Sequence, residues 1–68
     1  HYKSEHKGKY RDLYDKWYHE HSTTEFRAIM RAIAERYVKR YEHKNGVIDL
    51  EKGIYTLTRL KEYEEEES

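Results

Sequence analysis

The sequence contains no cysteine and no proline, only three glycines, and a single methionine, tryptophan and phenylalanine. Without cysteine, neither disulfides nor a thiolate metal site can reinforce the fold, and a core of this size supplies no more than about 3–5 kcal/mol by itself. Association with itself or with a partner is the remaining source of stability, so a homo-oligomer is expected. No apolar run approaches the roughly 18 residues needed to cross a bilayer, and no signal-peptide core is present, which points away from a membrane. The chain opens on His1 rather than methionine, which leaves room for residues upstream. With no proline-rich or low-complexity linker, residues 1–68 read as one small helical domain with an acidic tail over 62–68.

Charge and tyrosine are abundant. Fourteen Lys and Arg balance fourteen Asp and Glu, but residues 1–44 carry eleven cations against seven acids, and residues 45–68 carry three against seven. The chain is therefore a dipole. Its acidic half argues against the large uncompensated cationic footprint that nucleic-acid binding requires. Eight tyrosines supply most of the large side-chain area and suit a core, an interface or base stacking equally.

Hydrophobic spacing predicts three helices and an all-α fold. Tyr10, Leu13, Tyr14, Trp17 and Tyr18 recur at helical spacing and define the first, over 9–19. Ser22-x-x-Glu25 is a capping box opening the second, which is expected to run to about His43 with Phe26, Ile29, Met30, Ile33, Tyr37 and Tyr41 on its apolar side. Asn45-Gly46 reads as a helix C-cap, since glycine enters the left-handed region without a Cβ penalty, and the last two helices are expected to form an antiparallel helical hairpin. In the third helix Val47, Leu50, Ile54 and Leu57 are expected to face inward, with Gly53 allowing close backbone approach. Ile48, Lys52, Tyr55 and Arg59 form a second surface, read as a subunit contact or a ligand wall. The run Glu64-Glu65-Glu66-Glu67 reads as a solvated helix end or a disordered terminus.

The candidate chemistry lies around the Asn-Gly turn. Arg36, Arg40 and Lys44, spaced by four, climb one side of helix two. Arg40 projects into the apolar arc, where an unpaired cation is costly, so it needs a carboxylate, with Asp49 nearest in sequence, or an anionic ligand such as phosphate. Snorkelling of the side chain at the helix end is a third option. His19-x-His21 has no second pair at helical ligand spacing, so no metal site is expected. The phosphate-loop and dinucleotide glycine patterns are both missing.

Phe26, Arg36-Tyr37, Arg40-Tyr41, Lys44-Asn45-Gly46, Asp49-Leu50, Lys52-Gly53 and Leu60, with His1-Tyr2 at the start, follow a recognisable pattern. In this it resembles a family of small bacteriophage proteins of largely unknown function, to which the T7-type phage nucleotide kinase also looks related. The family places Gly-Asn where Ala32-Ile33 stand here, lysine where Arg36 stands and alanine where Gly53 stands. The resemblance implies a phage protein in the host cell cytoplasm that binds a nucleotide or related phosphorylated ligand, with magnesium needed only for kinase chemistry. Arg36, Arg40, Lys44 and Lys52 would then hold phosphate, Tyr2, Tyr37 and Tyr55 would stack on a base, and Asp49 and His1 would orient the ligand or a cation, or Asp49 would cap helix three. The alternatives are a non-enzymatic module that binds a host protein and, with less support from its few cations, helix-turn-helix DNA binding through helices two and three.

Overall fold

The computed structural model describes residues 10–67, which form three helices and no strand: α1 (Leu13–Glu20), α2 (Thr23–Arg40) and α3 (Val47–Glu67). Asp12 caps α1 by accepting the Asp15 N–H at 3.0 Å. At α2 the capping box is complete: Ser22 Oγ accepts from the Glu25 N–H and Glu25 Oε1 accepts from the Ser22 N–H, both at 3.1 Å. Two otherwise orphaned donors are thereby satisfied.

α2 ends at Arg40, short of His43, and residues 41–46 form a turn. Gly46 takes φ 58° and donates its N–H to the Tyr41 carbonyl at 2.8 Å, a six-residue closure that frees the chain to reverse. α3 packs against α2. Arg40 meets Asp49 at the turn end, and Arg27 forms a two-point ion pair with Glu64 at the other.

Tyr18, Phe26, Met30 and Tyr63 make the buried core, with Tyr14, Trp17 and Leu60 packed against it. The Tyr18 and Tyr63 rings lie 4.3 Å apart, and Phe26 meets Tyr63 edge-on at 5.2 Å. The first helix begins later than its periodicity implies: Tyr10 precedes it, Leu13 is 53% exposed, and Asp15 is buried in its place.

α3 differs most from expectation. Val47, Ile54 and Leu57 are 68%, 64% and 49% exposed, while Asp49, Gly53, Thr56, Arg59 and Tyr63 are buried. Polar groups hold the inner face because each finds partners there. Arg59, expected on the second surface with Ile48, Lys52 and Tyr55, is buried with its guanidinium bonded to Asp12, to Tyr55 Oη at 3.1 Å and to Tyr63 Oη at 2.6 Å. Tyr63 Oη in turn donates to Asp15 Oδ1 at 3.1 Å. Gly53 sits against α2, where a Cβ would lie 3.5 Å from Tyr37 Cβ, an ordinary contact distance. The acidic end of α3 is helical to Glu67 and engaged, with Glu64 on Arg27 and Glu67 accepting from Tyr18 Oη at 2.5 Å.

Candidate ligand cleft beside Tyr37

Helix α1 covers one face of the α2–α3 pair incompletely and leaves two clefts that share Tyr14 and Tyr37 as a common wall. The first, about 320 Å³, is lined by Leu13, Trp17, Ile33, Arg36 and Arg40 besides the two tyrosines. Ile48, Glu51, Lys52 and Tyr55 line the second, about 410 Å³. Apolar walls with a few convergent charges are the usual make-up of a small-molecule site.

Arg36, Tyr37 and Arg40 follow one another along a single stripe of α2, so helical spacing alone brings them to the first cleft. Lys52 and Tyr55 come from α3 on the opposite side. The Arg40 guanidinium carbon stands 5.1 Å from the centroid of the Tyr37 ring and Lys52 Nζ stands 5.9 Å from it, so two cations flank one aromatic ring.

The counter-ion that Arg40 requires is Asp49. Arg40 Nε and Nη2 reach Asp49 Oδ2 and Oδ1 at 3.1 and 3.2 Å, a fork-to-carboxylate pair. Asn45 adds its backbone N–H and its side-chain amide, each at 3.3 Å. The Arg40 hydrogen bonds, with smaller help from Asn45, hold the Asp49 carboxyl below the ordinary carboxylate range. Asp49 is thus a buried anchor that fixes Arg40 and closes the turn.

Of the remaining candidates, Lys44 is exposed in the turn and lines neither cleft. Tyr55 lines the second cleft with its ring 5.9 Å from that of Tyr14, and its hydroxyl is taken by Arg59. His1 and Tyr2 lie outside the described residues. Tyr14 and Trp17 are the cleft residues that periodicity assigns to the core; they are half-buried, one side on the core and the other on the cleft. Tyr14 is oriented by hydrogen bonding: Thr56 Oγ1 gives its proton to the Lys52 carbonyl at 3.0 Å, so Tyr14 Oη is the donor in the 2.6 Å bond to Thr56.

Among the described residues no three histidines or acids converge as metal ligands. Among the described residues no helix is long and apolar enough to cross a membrane. No family model, no curated protein and no solved structure matches the chain.

Proposed function

We propose that the chain is a small phage protein of the host cytoplasm that binds a nucleotide or related phosphorylated molecule, in the clefts between α1 and an antiparallel α2–α3 hairpin. One observation carries this: the Tyr37 ring, flanked by Arg40 and Lys52, forms a wall common to both clefts. A base would lie against Tyr14, Tyr37 or Trp17, where stacking contributes about 1–3 kcal/mol per base. With Arg40 committed to Asp49, the phosphate falls to the exposed Arg36 and Lys52, and Arg40 supplies field and the remaining donors of its fork. The resemblance to the phage family is what narrows an aromatic anion to a nucleotide. Kinase chemistry would add magnesium at the phosphates; Glu51 is the one carboxylate lining these two clefts, and we propose binding without a transfer step.

Calorimetric titration with a panel of mono-, di- and cyclic nucleotides tests the proposal. Saturable heat is expected with at least one, weakened about tenfold by Arg36→Ala or Lys52→Ala, the loss typical of one charge-assisted contact. No heat from any of them would remove it.

A further inference from the structure

α1 packs on one face of the α2–α3 pair, where exposed Leu13, Ile48 and Tyr55 line the clefts, and a second set of exposed apolar residues lines neither cleft. On α3 these are Val47, Ile54 and Leu57, with the half-buried Leu50 between them; on α2, Val38 is 51% exposed beside Ala34. Positions 47, 50, 54 and 57 are three, four and three apart, the spacing of a coiled-coil seam, narrower than the stripe of an ordinary core helix. An open depression of about 440 Å³ joins this seam to α2, lined by Arg31, Ala34, Val38 and Leu57 among others.

We infer that a second copy of this chain covers the seam, with its α3 antiparallel to the first. Charge decides the occupant and its direction. The turn end of the pair exposes Lys39 and Lys44 against Glu42, and the far end of α3 exposes Glu62, Glu65 and Glu66 against Lys61, so the first is net basic and the second net acidic. A parallel partner would set acid on acid and cation on cation. An antiparallel one, with its two-fold axis between positions 50 and 54, pairs Val47 with Leu57 of the second copy and Leu50 with Ile54 of the second copy. It also carries each acidic helix end past the other copy's basic turn end with Lys44. The contact is isologous and closes as a dimer. It gives Lys44, which lines neither ligand cleft, a place at the rim, and it leaves both clefts open.

Sedimentation equilibrium on the full chain tests the inference. A dimer is expected at about 100 µM protein, with Ile54→Glu raising its dissociation constant at least tenfold, as loss of a central apolar contact does. High salt should weaken it further, because the rim charges attract. Since the natural chain has no cysteine, mixed oxidation reads the direction: Leu50→Cys with Ile54→Cys should cross-link faster than either variant alone. That comparison stands even if Ile54→Glu fails to fold. A chain that stays monomeric at about 1 mM, a dimer indifferent to Ile54→Glu, or faster linking between like positions would each overturn it, the first leaving the seam to a foreign protein.

Discussion

Arg59 on α3 and Asp12 at the cap of α1 are joined by an ion pair although 47 positions separate them in the chain. The Arg59 guanidinium carbon also lies within 5.3–5.9 Å of the Tyr14, Tyr55 and Tyr63 ring centroids. This cation ties α1 to the rest of the molecule. Burial opposes its charge, but the hydrogen bonds from its partners prevail and raise its pKa, so it stays ionised.

Arg59→Ala should therefore destabilise strongly. It removes a buried donor from Tyr63 and leaves the Asp12 carboxylate, 36% exposed, to water, so the loss should be about 1–3 kcal/mol, below that of a fully buried pair. Urea unfolding followed by circular dichroism measures the loss. A change smaller than that of an exposed control such as Lys16→Ala would contradict the assignment.

Gly46 is the position where the backbone itself demands glycine. At φ 58° an alanine pays the left-handed penalty of about 1–2 kcal/mol, although nothing lies within 4 Å of its Cβ. Gly46→Ala should lower stability by that amount, and Gly46→Asn by less, since asparagine tolerates this region better.

Gly53 should behave in the opposite way. Its Cβ would make only ordinary contacts, so Gly53→Ala should gain about 0.5–1 kcal/mol from helix propensity. Gly53→Leu should lose stability by forcing α2 and α3 apart. Thermal melts of the two variants check the sign of each.

Stability should fall in acid and again in strong alkali. Arg40 holds the Asp49 carboxyl below its ordinary 3.8, and Arg27 holds Glu64 below its ordinary 4.5. The stabilisation from these carboxylates is complete above those values and is lost as pH falls through them towards the lower folded-state pKa values. Burial raises the Tyr63 phenol above 10.0, so its contribution is complete below that value and declines as pH rises past it. Asp49→Asn should flatten the acid arm, and Tyr63→Phe the alkaline arm, of a stability-against-pH curve.

What the sequence makes legible is local. The Ser22–Glu25 box depends on neighbours three residues apart and forms where its side chains dictate, whereas α2 stops at Arg40, ahead of the expected Asn45-Gly46 cap, and Gly46 takes its left-handed conformation at the end of the turn that follows. The all-helical character follows from apolar spacing. The face of α3 does not, because spacing ranks Val47, Ile54 and Leu57 as core without knowing that Asp49, Thr56 and Arg59 have partners on α1 and α2. Those partners lie 9 to 47 positions away. The requirement that Arg40 find an anion is readable from its place in the apolar arc, and Asp49 supplies it. The part of Tyr14 and Trp17 in the clefts is not readable, since a half-buried aromatic has the same period as a buried one.

The span of the contacts made by α1 also bears on the order of assembly. Tyr14, Asp15 and Tyr18 reach Thr56, Tyr63 and Glu67 across 42 to 49 positions, whereas Arg40 and Asp49 close a loop of nine. Closing the short loop loses far less chain entropy, so α2 and α3 should zip first and α1 should dock onto a surface already formed. Substitutions at Tyr18 would then hasten unfolding with little change in the folding rate, and those at the Asn-Gly turn would slow folding itself.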